Sequence, residues 1–467
     1  MPAPLDAARN YLRAAWWSLQ SLFRFDGTVD RRLLSLAAAI NVIVLINALL
    51  HSPFVGYDAL DHLQDIRALA EGRLPSEEET HEFFVPPLPY AGPAMLRAAG
   101  VRWGYVVKLA QLQNVAWSVG LTLAVIALCR RLRADDRDLP FWSLVLVGTL
   151  PLFYKMFVFV RGEPLLAFLA VVLVERAVSC AQSAGRRAAP WPALGVIAGL
   201  CLLSKQWAVF VLAPAAAWLW WRRPADWRGL AAAAAIALAI SGWFYASLHV
   251  RDGSVAAFNA PPAPAFRLAN RSAEFRLDTG WPAMVRGPVR GALDDEHGVT
   301  PVVPLLYADS WGDYYGYWVV YGVEPGTGAW ASGDNVPLDP RFTNRFRIAA
   351  YLGRANIAGL LPTLVMCAGV VAGLGGMLAR RSAETAGAGL LATIVLATVA
   401  GYVVLLIGYP DLGAKPGYQL HLTAPLGVLG AMVVTSPSRL QRFLKVAIVA
   451  AVVHNAPLFV TRFVGFP

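Results

Sequence analysis

Residues 33–50 read LLSLAAAINVIVLINALL, an apolar run without a charged residue, and residues 56–62 read GYDALDH. A run of about 20 apolar residues is long enough to cross a bilayer as a helix. Asp58, Asp61 and His62 therefore come shortly after a candidate membrane span. Ionisable groups near a membrane interior are costly unless they are paired or functional, so these three residues become candidates for a site.

The rest of the chain repeats the apolar pattern. Its 467 residues are 57% hydrophobic and only 15% charged, with a mean hydropathy of +0.51. A soluble globular domain has about 25% charged residues. The apolar runs do not alternate with period two, which argues for helices over a barrel. The sequence predicts an all-α polytopic membrane protein with about eleven transmembrane helices.

Four segments follow from this pattern. Residues 1–32 are expected to form an amphipathic cytoplasmic segment on the inner leaflet, with no cleavable signal peptide. Residues 33–248 form a transmembrane module that contains a first polar loop, residues 51–103. Residues 249–347 form a large loop, expected to fold as a small mixed cap. Residues 348–467 form a second transmembrane module.

The basic residues predict the orientation of the chain. The formal net charge is +10, carried by short connections between spans, which indicates a membrane protein and argues against nucleic acid. Five connections on one side hold 14 Lys and Arg residues, whereas the three short connections on the other side hold only Arg161, Lys205 and Lys415. The positive-inside rule then puts the amino terminus in the cytoplasm and both long loops outside.

The cysteines predict no further chemistry. Cys129, Cys180, Cys201 and Cys367 lie in or beside predicted spans, so neither a disulfide nor a cysteine metal site is expected. There is no HExxH motif and no Walker or Rossmann glycine pattern, so we expect no cofactor and no nucleotide-sugar donor.

The acidic stretch after the first span has two interpretations. On a helix that starts near Asp58, the residues Asp58, Asp61, His62 and Asp65 share one face. Three carboxylates along one stripe repel one another unless a cation or a ligand with donors lies among them. The alternative is a solvated loop helix with Asp58 as its N-cap.

The first loop resembles that of the C-type (GT-C) glycosyltransferases, a superfamily that includes protein O-mannosyltransferases and lipid A aminoarabinose transferases. The matching residues are Asp58, His62, Gly72, Pro75, Pro86, Pro87, Leu88 and Tyr90. Members usually have Asp-Glu at the first two positions, whereas this chain has Asp58-Ala59 with its next acid at Asp61. The resemblance implies transfer of a sugar from a polyprenyl phosphate with inversion, and a catalytic base that is Asp58 or, second, Asp61.

The resemblance also implies the groups that bind the donor phosphate. The stretch 411–418 looks like the loop in which a lysine and a tyrosine contact the lipid phosphate, which assigns Lys415 and Tyr418. Lys205 and Arg161 are further candidates. The alternative for each lysine is a side chain that reaches to the membrane interface without a ligand.

A third group of residues is expected to shape the substrate pocket. It includes Asp309, Trp311 and Asp313, because rings stack on sugar faces and carboxylates accept from hydroxyls, although ordinary packing would also explain them. Glu163 belongs either to the pocket or to an ion pair with Arg161, and His421 is either a site residue or a satisfied buried histidine. The full set is His62, Glu163, Pro87, Tyr90, Asp309, Trp311, Asp313 and His421.

The expected partners are a polyprenyl-phosphate-linked sugar, the bilayer, and a lipid, cell-wall glycan or protein acceptor. The expected location is a bacterial inner membrane with the site on the periplasmic face. Asp58 and Asp61 could hold a divalent ion, as in related oligosaccharyltransferases. Two other functions stay open: a transporter or lipid flippase, and a ligase or polymerase of lipid-linked glycans, which Arg286, Arg290 and His297 would suit.

Overall fold

The computed structural model describes residues 20–183, 191–258, 268–277, 281–286, 301–319, 345–379, 382–408 and 414–462. A short antiparallel hairpin, β1 (Arg24–Phe25) and β2 (Thr28–Val29), precedes the first span. The α-helices of the described residues are α1 (Arg31–Leu50), α2 (Ala59–Ala70), α3 (Leu88–Ala98), α4 (Trp103–Leu132), α5 (Asp138–Gly148), α6 (Pro151–Met156), α7 (Glu163–Gln182), α8 (Trp191–Ser204), α9 (Val209–Arg222), α10 (Trp227–Asp252), α11 (Ala273–Leu277), α12 (Trp281–Arg286), α13 (Val302–Trp311), α14 (Arg345–Leu378), α15 (Ala383–Gly408), α16 (Thr423–Thr435) and α17 (Gln441–Asn455). Short 3₁₀ helices occupy Gln206–Ala208, Pro224–Asp226, Leu268–Asn270, Pro416–Leu422 and Ala456–Phe459.

Eight helices of the described residues are long and apolar enough to cross a membrane. They are Arg31–Leu50, Trp103–Leu132, Glu163–Gln182, Pro224–Asp252, Ala350–Leu378, Glu384–Gly408, Pro416–Thr435 and Gln441–Phe459. Two shorter apolar helices, Asp138–Gly148 and Trp191–Ser204, accompany them. The predicted helical, multi-pass membrane architecture is confirmed, with eight such spans where the sequence predicted about eleven.

One predicted span is broken. The sequence predicted a single span over about residues 141–160, whereas the structure ends α5 at Gly148 and starts α6 at Pro151. The ring of Pro151 disfavours a helical conformation for the residue before it, and Leu150 is extended, with φ −83° and ψ 115°. Residues 157–162 after α6 are irregular and buried, and they bring Phe159 and Arg161 against the first loop.

The helices α8 and α10 pack closely because small residues line their contact. A Cβ on Gly195 would lie 2.6 Å from the carbonyl oxygen of Ala233, and one on Gly199 would lie 2.8 Å from Cβ of Ile240. Glycine at such positions lets two membrane helices approach through their backbones. The packing fixes the end of α8, directly before Lys205.

The described parts of residues 249–347, the predicted cap, are helices and turns. Residues 1–19 of the predicted amphipathic segment lie outside the described residues, as do Arg290 and His297, and Arg286 is the last residue of α12.

The two ends of the described chain are joined by buried polar contacts. Asn47 donates to the carbonyl of Phe459 at 2.6 Å and accepts from the backbone N–H of Thr461 at 2.9 Å. His51, directly after α1, contacts the Thr461 hydroxyl at 2.7 Å and the Val55 carbonyl at 3.0 Å. The first span and the end of the chain are therefore held as one unit.

We expect His51 to make the protein less stable in acid. Burial, with a smaller contribution from the positive charge of Lys108, lowers the pKa of His51 to about 3 from its ordinary value of 6.5. The unfolded chain therefore binds one proton more than the folded chain between these two values, and stability falls as the pH falls below 6.5. Between pH 7 and pH 5 this term is about 2 kcal/mol.

The measurement compares thermal unfolding of the wild type and His51→Gln in detergent over this pH range. Glutamine keeps a donor and an acceptor but does not titrate. The wild type should lose about 2 kcal/mol more than the variant. Parallel pH curves for the two proteins would show that His51 does not contribute.

Candidate functional site: a charge cluster behind Asp58

Asp58 has an unusual backbone conformation for its position. It precedes α2, where an aspartate normally caps the helix, but its φ of 52° and ψ of 28° are left-handed and its side chain makes no capping hydrogen bond. A left-handed non-glycine residue costs about 1–2 kcal/mol. Gly56 permits the turn, because its φ is 149° and a Cβ there would lie 2.9 Å from the ring of Phe159.

The Asp58 carboxylate faces Lys415 instead of the helix. Lys415 Nζ donates to Oδ1 at 2.8 Å and to Oδ2 at 2.6 Å. Lys415 lies just before the 3₁₀ helix Pro416–Leu422, 357 residues further along the chain. The interpretation of the Asp58 side chain as a helix cap is therefore wrong. Lys415 is paired with Asp58, and its contact with a lipid phosphate stays a prediction.

Arg161 lies behind this pair and links three groups. Its Nη1 is 3.6 Å from Oδ2 of Asp58 and donates to the carbonyl of Tyr57 at 3.0 Å. Its Nε and Nη2 donate to the two oxygens of Glu163 at 2.9 and 3.0 Å. Such a bidentate pair fixes the guanidinium in one orientation. Glu163 opens α7, so the start of this span and the first loop share one cation.

Lys205 completes the arrangement from the end of α8. Its Nζ lies 3.3 Å from Oε1 of Glu163 and 3.6 Å from Oε2 of Glu82. Three cations and three carboxylates thus meet at one place, which we call the charge cluster. It consists of Asp58, Glu82, Arg161, Glu163, Lys205 and Lys415.

The ring of Tyr418 lies among the cations of the charge cluster. Its centroid is 5.5 Å from the guanidinium of Arg161, 5.8 Å from Nζ of Lys205 and 5.9 Å from Nζ of Lys415. Cations within about 6 Å of an aromatic face are attracted to it. Trp207 stacks on Tyr418 with centroids 5.8 Å apart.

The charge cluster has an accessible front and a buried back. The side chains of Asp58 and Lys415 are 24% and 16% exposed, whereas those of Arg161, Lys205 and Glu82 are at most 4% exposed. A ligand that approaches the site would meet Asp58 and Lys415 first.

The charges perturb the acids in opposite directions. Burial opposes the charged form of Asp58, but the positive charges of Lys415 and Arg161 outweigh it and hold the pKa of Asp58 below its ordinary value of 3.8. Burial raises the pKa of Glu82, and Lys205 offsets only part of that effect. Asp58 is therefore ionised, whereas Glu82 holds a proton more readily.

His62 lies behind Asp58 in a buried pocket of the first loop. Its Nδ1 is 2.9 Å from the hydroxyl of Tyr90 and 3.5 Å from Oδ2 of Asp65. Burial, then the positive charges of Arg161 and Lys205, lower the pKa of His62 well below 6.5. The imidazole is therefore neutral at physiological pH.

Asp58, His62 and Glu82 together could hold a metal ion. Each offers a ligand atom, and these atoms lie within 4.8 Å of one another. Two carboxylates and an imidazole suit a divalent transition metal. Lys415 donates to both oxygens of Asp58, so an ion bound there would share the carboxylate with a positive charge. The expectation that no metal is needed stays a prediction.

Two expected residues of the first loop lie at the edge of the site. Asp61 is half-buried and accepts from the Thr80 hydroxyl at 3.4 Å and from the backbone N–H of His81 at 3.3 Å. Among the described contacts it has none with the charge cluster. Pro87 directly precedes α3 and is half-buried.

The expected sugar-binding residues of the large loop are engaged inside the protein. Asp309 is ion-paired with Lys155 at 2.9 Å. Asp313 accepts from three successive backbone N–H groups at 2.6–3.1 Å, and the Trp311 indole donates to Thr363 at 3.0 Å. All three are buried, as ordinary packing within the protein would also place them, and their role in a substrate pocket stays a prediction.

His421 is also buried, and its Nε2 lies 3.1 Å from the Thr398 hydroxyl of α15. Its Nδ1 is buried without a hydrogen-bond partner among the described residues, so His421 is only half satisfied, and its role in the site stays a prediction.

Three residues of the site were missed by the sequence reasoning. Glu82 is a single acid next to an aromatic run, Tyr57 precedes Asp58, and Lys155 is a lone lysine in a predicted span. A charged residue amid apolar neighbours is itself a signal, because such residues are usually paired. The partners of Glu82 and Lys155 lie more than 100 residues away, where no local pattern points to them.

No family model matches this chain, and no curated protein matches it. Among solved structures, the chain is similar to ArnT from Cupriavidus metallidurans bound to undecaprenyl phosphate, with 14% identity and a TM-score of 0.47 over 90% of this chain and 63% of that chain. It is similar to the Archaeoglobus fulgidus oligosaccharyltransferase in the apo form, with 14% identity and a TM-score of 0.49 over 93% and 56%. The same organism's AglB, in complex with an inhibitory peptide and a dolichol-phosphate, gives 13% and 0.48 over 93% and 56%.

This chain thus spans about three fifths of the length of those three proteins. The undecaprenyl phosphate, the dolichol-phosphate and the inhibitory peptide are ligands of those proteins.

The site depends on a close contact at Gly162, between Arg161 and Glu163. A Cβ there would lie 2.6 Å from the carbonyl oxygen of Ser204 and 3.2 Å from Cγ of Pro89. We expect Gly162→Ala to lower the free energy of unfolding by about 1–3 kcal/mol, because the start of α7 and the end of α8 must move apart.

Gly375→Ala is the matched control, since a Cβ at Gly375 has nothing within 4 Å. It lies inside α14, where alanine is up to about 1 kcal/mol more stable than glycine. Thermal unfolding of both variants checks the expectation. Equal stability of the two proteins would contradict the close contact.

Proposed function

We propose that this protein is a membrane glycosyltransferase. It would move a sugar from a polyprenyl-phosphate donor to a hydroxyl of a lipid, a cell-wall glycan or a protein. The observation that carries the proposal is the ion pair between Asp58 and Lys415, half-accessible in front of two buried cations. It places a potential proton acceptor beside positive charge that suits a phosphate.

The cations fit the leaving group of such a reaction. When the bond between the sugar and the phosphate breaks, negative charge develops on the phosphate oxygens. Cations held in place beforehand stabilise that charge without reorganisation. Lys415 would reach the phosphate first, Arg161 would act from behind it, and Lys205 and Tyr418 would complete the positive wall.

An apolar cavity beside the charge cluster fits the lipid part of the donor. Its volume is about 590 Å³, and Leu238, Phe210 and Leu405 contribute to its apolar wall. Trp207 also lines it and stacks on Tyr418, so the rings of Trp207 and Tyr418 lie between the cavity and the cations. An isoprenoid chain is apolar and would gain from burial there.

In the proposed reaction Asp58 is the general base. Its carboxylate takes the proton of the acceptor hydroxyl, the acceptor oxygen forms a bond to the anomeric carbon, and the bond from that carbon to the phosphate oxygen breaks with inversion. The polyprenyl phosphate leaves with the electron pair. Proton abstraction by a positioned carboxylate typically contributes 10²–10⁴-fold to a rate.

Donor binding would make Asp58 a better base. In the free protein Lys415 and Arg161 hold the pKa of Asp58 below 3.8, which makes its carboxylate a weak proton acceptor. A phosphate that engages these cations would neutralise them, and the pKa of Asp58 would rise. Base strength would then appear only when the donor is in place.

The meeting of Arg161, Lys205 and Lys415 supports one further part of the proposal. Each stands alone in a short connection, and all three lie around Tyr418. The three connections therefore share one side of the protein. With the positive-inside rule, we propose that this side is the periplasmic face of the inner membrane.

We expect Asp58→Asn to lower the transfer rate 10²–10⁴-fold, because asparagine cannot accept the proton. The assay incubates the purified protein with radiolabelled polyprenyl-phosphate sugars and membrane extract, and measures labelled acceptor. Asp61→Asn is the matched control and should retain most of the activity, since the side chain of Asp61 accepts hydrogen bonds from Thr80 and His81 and not from the charge cluster among the described residues. Undiminished transfer by Asp58→Asn would remove it as the base.

Lys415→Met should shift the pH profile as well as slow the reaction. Asp58 must be ionised to act, and removing a neighbouring positive charge raises its pKa. The acid limb of kcat/KM, which reports the free enzyme, should therefore move to higher pH in the variant. Lys445→Met is the control, because Lys445 pairs with Asp138, far from the charge cluster in sequence and contacts. An acid limb that does not move would contradict the coupling.

A further inference from the structure

A second buried polar group lies next to the charge cluster and outside the reaction described above. Lys155 of α6 donates to the carboxylate and to the carbonyl of Asp309, both at 2.9 Å. The hydroxyl of Tyr57 donates to the other oxygen of the same carboxylate. Lys155 and Asp309 have no exposed side-chain surface, and Tyr57 is 1% exposed.

Stability alone does not explain this group. Removing two charges from water costs several kcal/mol per ion, and apolar residues of similar size often hold a core equally well. Both charged groups of the pair have hydrogen-bond partners inside the protein, and the backbone N–H of Tyr315 donates a further bond to Asp309 at 3.3 Å. A buried, fully paired group of this kind can specify one arrangement of the elements that contribute to it.

The arrangement that it specifies includes the turn that carries Asp58. Tyr57 is the preceding residue, and its carbonyl is bound by Arg161 at 3.0 Å. Its ring meets those of Phe159, Tyr315 and Tyr317 edge to face at 5.4–5.5 Å. Tyr57 is thus held at its hydroxyl, its ring and its backbone.

This restraint opposes a local preference of Asp58. An aspartate before a helix favours extended backbone and accepts from the first N–H groups of the helix. Asp58 instead keeps a left-handed conformation and faces Lys415. Something outside the helix must hold it there, and Tyr57 is its direct neighbour.

We propose that Tyr57, Asp309 and Lys155 are positioning residues that hold Asp58 toward Lys415 and away from a helix-capping conformation. The segment 301–319 of the large loop thereby sets the orientation of the proposed base through Asp309. This inference rests on the proposed function for its consequence in catalysis, but the orientation itself can be tested without any reaction.

The first test compares Tyr57→Phe with Tyr307→Phe. Each removes one hydroxyl; that of Tyr307, in the same segment, donates to the carbonyl of Asn356 at 2.8 Å and not to Asp309. We expect Tyr57→Phe to lower kcat about tenfold to hundredfold with donor KM changed less than about threefold, as for a misplaced catalytic group. Tyr307→Phe should keep kcat. Equal kcat in the two variants would overturn the positioning role.

The second test does not need activity. In the wild type, Lys415→Met breaks the ion pair with Asp58 and should lower the midpoint of thermal unfolding. In a Tyr57→Phe background Asp58 is free to turn to the helix, so Lys415→Met should lower the midpoint distinctly less. If the two substitutions are additive, Tyr57 does not hold Asp58 on Lys415. If the two substitutions are not additive but the wild type transfers no sugar, Tyr57 still positions Asp58, and the proposed function is overturned instead.

A third variant separates folding from positioning. Lys155→Met alone leaves the Asp309 charge buried without its cation, so this variant should lose stability and lower the thermal midpoint. The pair Lys155→Met with Asp309→Leu removes both charges and should recover the thermal midpoint relative to the single variant. Because Tyr57 still lacks its acceptor, kcat should stay low. Recovery of kcat together with the midpoint would overturn the proposal.

Discussion

The ion pair between Asp58 and Lys415 is the contact on which the site depends. It joins the first loop to a connection 357 residues further along the chain. The pair is half-buried, since the side chains of Asp58 and Lys415 are 24% and 16% exposed. Its position depends on the buried charges behind it, since Arg161 binds both the turn at Tyr57 and the start of α7 at Glu163. The pair therefore depends on how the first loop, the start of α7, the end of α8 and the connection that carries Lys415 are packed together.

The buried part of the charge cluster would be unstable if any of its members lacked the others. Arg161, Lys205 and Glu163 have almost no exposed surface, and a single charge buried in this way would cost several kcal/mol. Two carboxylates and two cations at the back offset one another, so the cluster can remain inside a membrane protein. The half-exposed Lys415 and Asp58 then add charge where a ligand can reach it.

The sequence predicted the parts of this arrangement that carry local signals. Apolar runs predicted most of the spans, and isolated cations in short connections predicted Arg161, Lys205 and Lys415. It did not predict the break at Pro151, because the apolar run continues through it. It did not predict Glu82, Tyr57 or Lys155, whose roles depend on contacts with distant residues. Asp309, Trp311 and Asp313 matched a sugar-binding pattern, but the same residue types also build a buried core, and the pattern does not separate the two.

The left-handed conformation of Asp58 shows how tertiary contacts can override a local preference. Capping would satisfy a free N–H group of α2 and would avoid about 1–2 kcal/mol of backbone strain. Asp58 forgoes both gains and contacts Lys415 instead, in an arrangement that the surrounding packing maintains. A locally unfavourable conformation that the surrounding packing maintains is typical of residues that act on a ligand. Gly56, Phe159 and Arg161 all contact the same turn, so the strain at Asp58 is a property of the whole site. The strained conformation places the carboxylate where positive charge from three connections converges.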